Sequence, residues 1–151
     1  HAAPGFRSGW AIGPKEFCLR TLPLSETMLF GGQPFIADMT ALALSRPSKV
    51  SIEMKTAYQR RAKLICDKLK SVEKIKPLMP SAGMFILLDI EKTNLNCSDF
   101  AWKFLSEQLV AVMPGASFGD QAKGFIRLSL TVPDDLLQKA CDRLLLFIKT
   151  L

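Results

Sequence analysis

The sequence predicts an α/β fold, and three observations predict it. Met54, Tyr58, Ala62, Ile65, Leu69 and Val72 follow a 4-4-3-4-3 spacing, which places them on one stripe of a long helix. Residues 84–90 (MFILLDI) form an almost continuous apolar run of strand length, the pattern of a strand buried on both faces. Residues 75–151 then alternate β-β-α-β-β-α, a layer able to bury its own core.

The elements follow in order. Residues 8–12 (SGWAI) read as a short strand closed by Gly13-Pro14. Residues 15–22 read as a helix stopping near Pro23, and residues 29–34 (LFGGQP) as a loop, because the Gly-Gly pair and proline break any periodicity. Residues 35–44 form a short apolar helix, and the striped helix occupies about 48–72. Residues 75–79 make a short strand, on a sheet edge because Pro77 lies inside it. Residues 81–83 turn into the strand at 84–90. Ser98 is the expected N-cap of a helix to about 109, with Asp99 in its first turn where negative charge suits the dipole. Residues 110–113 are a short strand stopped by Pro114-Gly115, and residues 124–130 another. Thr131 is the expected cap of a last helix, with Pro133 in its first turn and Leu137, Ala140, Cys141, Leu144, Ile148 and Leu151 at helical spacing.

With 151 residues, 48% of them hydrophobic, the chain suffices for one sizeable core. The formal net charge of +6 raises nucleic acid or an anionic membrane as partners. The basic residues are spread out, however. In the densest stretch Lys55, Arg60, Arg61, Lys63, Lys68, Lys70 and Lys74 alternate with Glu53, Asp67 and Glu73, the composition of a solvated helix face. Tyr58 alone interleaves there, and no helix-turn-helix or zinc-finger spacing occurs, so no nucleic-acid partner is expected. No apolar run is long enough to cross a bilayer, so no membrane partner is expected either. Cys18, Cys66, Cys97 and Cys141 form no CxxC pair and the histidine is His1, so no metal site is expected. Scattered cysteines beside an ample core read as free thiols in a reducing, cytoplasmic compartment.

Two arginines carry candidate chemistry. Arg7 stands in Pro4-Gly5-Phe6-Arg7-Ser8-Gly9-Trp10, where glycines let backbone approach a ligand and a guanidinium can grip phosphate bidentately. Taken alone, an ordinary surface arginine in a turn fits as well. Arg127 stands mid-strand in Phe125-Ile126-Arg127-Leu128-Ser129. Alternation sends Ile126, Leu128 and Leu130 one way and Phe125, Arg127 and Ser129 the other. A mid-strand arginine is costly to bury without a paired anion, so its face is either solvent or a site that expects an anion.

The segment Pro4-Gly5-Phe6-Arg7-Ser8-Gly9-Trp10-Ala11-Ile12-Gly13-Pro14 resembles the one following the cofactor lysine in class I/II aminotransferases of fold type I, which depend on pyridoxal 5'-phosphate. Ala82-Gly83-Met84-Phe85 resembles the family's glycine-aromatic turn near the substrate, and Met113-Pro114-Gly115-Ala116-Ser117-Phe118-Gly119 its PG…FG loop. Phe125-Ile126-Arg127-Leu128-Ser129 resembles its strand with the arginine that clamps the substrate α-carboxylate. Each motif is weak, but the ordered set spans the chain. The first motif and Met28-Leu29-Phe30-Gly31 look most like arginine–pyruvate-type members.

The resemblance implies a chain beginning just after the cofactor lysine, with the phosphate on Arg7 and the substrate near Arg127 and Gly83. It implies that no catalytic residue lies in the chain and that the chain alone is inactive. His1 matches a histidine of some members and has pocket lining as its simplest role. Residues 1–30 would be the tail of the large cofactor domain, 31–74 an interface segment and connecting helix, and 75–151 the small C-terminal α/β domain. The partners implied are an amino acid, a 2-oxo acid, the preceding part of the same protein and a second copy in a homodimer. Apolar surface around Trp10 and residues 35–44 is expected to stand uncovered. Alternatives are a β-lyase, racemase or cyclopropane synthase on the same scaffold, or a non-catalytic basic binding module.

Overall fold

The computed structural model describes residues 4–151. They divide into two compact units, the first ending at Met54 and the second running from Lys55 to Leu151.

The first unit holds a 3-10 turn at Pro4–Phe6, helix α1 (Lys15–Leu29), helix α2 (Pro34–Leu44) and the start of helix α3 (Lys49–Leu69). The strand expected at 8–12 is absent: a strand needs an edge to pair with, and no strand of the described residues lies in this unit. α1 does not stop at Pro23 but continues to Leu29. The proline removes one amide donor, yet the residues after it keep helical geometry until Phe30, whose left-handed backbone (φ 52°) returns its N–H to the carbonyl of Glu26. Neither α1 nor α2 has a buried residue, and Trp10, Met28, Phe30 and Phe35 are all more than half exposed. The uncovered apolar surface expected around Trp10 and α2 is thus present.

α3 begins where the Ser48 hydroxyl accepts the amide of Ser51, three residues in. Its stripe buries Ala62, Ile65 and Leu69, with Tyr58 half-buried against the same core. The rest of the second unit consists of β1 (Lys76–Leu78), β2 (Phe85–Asp89), helix α4 (Cys97–Gln108), β3 (Met113–Pro114), β4 (Phe125–Ser129) and helix α5 (Asp134–Thr150). This is the expected β-β-α-β-β-α order. The strands form one antiparallel sheet in the order β1-β2-β4-β3. Pro77 and Pro114 occupy its two edge strands, where a missing N–H leaves no ladder bond unmade.

Two caps differ from expectation. Asn96, not Ser98, caps α4, because its side-chain oxygen reaches the amides of both Ser98 and Asp99. α5 starts at Asp134 without a side-chain cap, since the Thr131 hydroxyl is engaged with that of Ser129.

One face of the sheet presents Ile86, Leu88, Ile126 and Leu128 to a core completed by α3, α4 and α5. Phe147 of α5 meets Phe100 edge-on at 5.1 Å and Phe104 at 5.3 Å. Each such fully buried Ile, Leu or Phe contributes about 1.5–3 kcal/mol of apolar transfer. The expectation that β2 is buried on both faces is corrected: Ile86 and Leu88 are buried, whereas Phe85 is exposed and Leu87 and Asp89 are half-buried. Within the second unit α3, α4 and α5 complete the core on the first face, so alternation along β2 separates a core side from a side away from the core.

Candidate functional site

The sheet face away from the core holds Arg127. In antiparallel register Phe85 stands opposite Ser129, Leu87 opposite Arg127, Asp89 opposite Phe125 and Met113 opposite Arg127. These residues therefore share one surface, away from the core. Arg127 has two diagonal neighbours on β2, Phe85 and Asp89. Its guanidinium carbon lies over the Phe85 ring, 5.0 Å from the centroid, and over the Phe118 ring at 4.5 Å. Asp89 accepts instead the backbone N–H of Glu91. No carboxylate among the described residues lies within ion-pair distance of Arg127, which is half-buried. By contrast Arg20, Arg60 and Arg61 all pair with carboxylates.

Gly83 lies at the entry to β2 with φ +95°, a backbone conformation that side chains disfavour, and open space surrounds its missing Cβ. The next residue, Met84, accepts the amide of Leu130 at 2.8 Å, fixing the entry against the far end of β4. Gly83 is exposed and so leaves the surface open before Phe85.

The loop bearing Phe118 is a 3-10 turn, Gly115–Phe118. Gly115 is required sterically, since a Cβ there would lie 1.9 Å from the carbonyl oxygen of Ala122 and 2.6 Å from that of Phe125. The Ala116 amide donates to the buried Cys97 Sγ at 3.4 Å, which fastens the loop to α4.

Arg7 belongs to the first unit and is placed within it. It ends the turn at Pro4–Phe6, its N–H donating to the carbonyl of Pro4 at 3.2 Å, and takes the left-handed conformation (φ 52°). That conformation costs a non-glycine residue roughly 1–2 kcal/mol. The next hydroxyl, Ser8 Oγ, accepts from Thr40 of α2 at 3.0 Å. The Arg7 side chain is exposed and forms no ion pair with another described residue. His1 lies outside the described residues.

A hollow of about 350 Å³ lies along the end of α2, lined by Met39, Leu42, Ala43, Arg46, Pro47 and Ser48. It contains none of Arg7, Gly83 and Arg127. Trp10 and Trp102 are 64% and 71% exposed. Phe85 and Phe118 both stand in motifs that resemble the family, but those motifs do not point to the contact of either ring with Arg127. The signal for Phe85 was present, because alternation along β2 and β4 puts both residues on one face. Phe118 ends a 3-10 turn between Gly115 and Gly119, so no periodicity points to it.

Residues 1–144 match the family model described as aminotransferase class I and II. The chain belongs to this family. Arginine–pyruvate transaminase of Pseudomonas aeruginosa is 38% identical over 146 residues, covering 97% of this chain and 37% of that protein. An aspartate aminotransferase of Pyrococcus horikoshii is 27% identical over 145 residues, covering 95% and 37%. The crystal structure of an aromatic aminotransferase from Pyrococcus horikoshii superposes with a TM-score of 0.82 at 28% identity, over 99% of this chain and 40% of that one. The chain thus spans less than half the length of the aminotransferases it matches, and its α/β architecture is that of part of a fold type I aminotransferase. Among the described residues no helix is long and apolar enough to cross a membrane.

Proposed function

We propose that the full-length protein is a pyridoxal-phosphate-dependent aminotransferase that moves an amino group between an amino acid and a 2-oxo acid. The observation that carries this reading is Arg127, half-buried on the sheet face away from the core and against two aromatic rings, with no carboxylate of its own among the described residues. A planar fork of donors in that setting suits the α-carboxylate that both substrates share. Holding that carboxylate orients the reacting carbon and lowers the entropy barrier to reaction. Gly83 keeps the neighbouring surface free of a side chain.

The residues present fit the cofactor at one point. Arg7 offers an exposed guanidinium with no ion pair among the described residues, on a hydrogen-bonded turn, which suits a phosphate. Pyridoxal 5'-phosphate, when bound, supplies the electron sink of transamination. No catalytic residue is assigned within this chain. In the same proposal residues 1–30 close the large cofactor domain, 31–74 carry an interface segment and connecting helix, and 75–151 form the small domain of a cytoplasmic homodimer.

The test is an assay of the full-length protein with L-arginine and pyruvate as the first pair, the pair named for the 38% identical relative. Transfer that requires the 2-oxo acid supports the reading, while ammonia released without an acceptor from an amino acid that carries a leaving group on its β-carbon supports a β-lyase. In Arg127→Ala the KM for the 2-oxo acid should rise about 10–150-fold, since a charge-assisted hydrogen-bonded contact is worth about 1.5–3 kcal/mol. An unchanged KM would remove Arg127 from the site.

A further inference from the structure

Resting on the reading of Arg127 as the substrate anchor, we propose that Phe85 and Phe118 make its guanidinium a carboxylate-selective grip by covering its flat faces and leaving only its in-plane edge to a ligand. The two rings reach Arg127 from different sides of its strand. Phe85 comes from β2, on one flank of β4, and Phe118 follows β3, on the other. A guanidinium carries five N–H donors in one plane, and nothing donates above or below it. Its faces are the natural seat of aromatic rings. With a ring on each face, an anion would reach the donors only along the plane.

A carboxylate meets this condition, because its two oxygens and the carbon that bears them lie in one plane. A phosphonate does not. When two of its oxygens bond in the plane, its third oxygen and its carbon stand on either side of that plane, where the rings lie. The rings therefore discriminate by shape between anions that an exposed arginine would accept alike.

The loop that carries Phe118 is held at two points. Gly115 allows the loop to press against the carbonyls of Ala122 and Phe125, and Cys97 Sγ takes the amide of Ala116. Phe85 and Phe118 are themselves 40% and 51% exposed, so either can be altered without emptying the interior.

The experiment uses the full-length enzyme, the 2-oxo acid it turns over fastest and the acylphosphonate of the same carbon chain as competitive inhibitor. The wild type should bind the phosphonate at least about tenfold more weakly than the oxo acid, within the range pocket shape can supply. Phe118→Leu should raise the KM more than it lowers kcat and narrow the carboxylate-to-phosphonate ratio, and Phe85→Leu should do the same. Phe118→Tyr, which keeps the ring, should retain the ratio. If Arg127→Ala raises KM while both leucine variants leave KM and ratio unchanged, the selectivity proposal is overturned and the anchor stands. If Arg127→Ala itself leaves KM unchanged, the anchor reading fails and the selectivity proposal falls with it.

Discussion

Arg61 of α3 donates its Nε–H to Asp134 at the start of α5 at 2.6 Å, and its second nitrogen donates to the carbonyl of Leu130 at 2.7 Å. One half-buried guanidinium thus joins a helix, the end of a strand and the first turn of the last helix. Arg60 adds a contact to the other carboxylate oxygen of Asp134 at 2.8 Å. The hydrogen bond from Arg61, with help from Arg60, holds the Asp134 carboxyl below its usual range. A carboxyl with a lowered folded-state pKa stabilises the fold above its unfolded pKa, and that contribution disappears as pH falls through the folded value. Stability of the second unit should therefore decline progressively below about pH 5. In Asp134→Asn this part of the decline should be missing, as read from urea midpoints between neutral and acid pH. Parallel curves for the two proteins would contradict it.

Phe147 ties α5 to α4 through its contacts with Phe100 and Phe104 and is fully buried. Phe147→Ala should lower unfolding free energy by about 3–5 kcal/mol, the range for emptying a buried aromatic site. Denaturant titration reads this directly, and a loss below about 1 kcal/mol would mean that the three-ring cluster is not the centre of the core.

These relationships were unequally legible in the sequence. The stripe from Tyr58 to Leu69 gave α3 and its buried face, because helical periodicity is a local signal. Arg127 could be placed on a face opposite Ile126 and Leu128 for the same reason. What covers each face is a tertiary matter, which is why β2 read as buried on both sides when only Ile86 and Leu88 are. The strand expected at 8–12 failed similarly: apolar composition suggests a strand, but pairing requires a partner that local sequence does not reveal. The cap of α4 moved from Ser98 to Asn96 because the choice depends on which oxygen reaches two amides at once. The family motifs supplied Arg7 and Gly83, for which the residues by themselves gave only a permissive turn.

Gly115→Ala should displace the loop carrying Phe118, since two backbone carbonyls occupy the space of the new methyl. A destabilisation of about 1–3 kcal/mol, the usual penalty of overpacking, is expected. It should come with a raised KM for the 2-oxo acid in the full-length enzyme. Gly119→Ala would strain the backbone without this clash, as nothing lies within 4 Å of its Cβ position. Equal effects on KM from the two variants would argue against close approach at Gly115 as the cause.

Burial pushes the Cys141 thiol up to about 11 and also raises that of Cys66, while Cys18 is exposed. The thiolate is the reactive form. Iodoacetamide at pH 8 should therefore modify Cys18 of the 151-residue chain well before Cys141, and Cys141 should become reactive only on unfolding. Mass-spectrometric mapping over time gives the order, and early modification of Cys141 would contradict the packing of α5.

In the proposed function Arg7 holds the cofactor phosphate and Arg127 the substrate carboxylate. A crystal structure of the full-length protein with pyridoxal 5'-phosphate and a bound amino-acid analogue tests it. The phosphate should lie on the Arg7 guanidinium and the analogue's carboxylate edge-on to Arg127, beside Phe85 and Phe118. Either arginine on a surface remote from both ligands would contradict it.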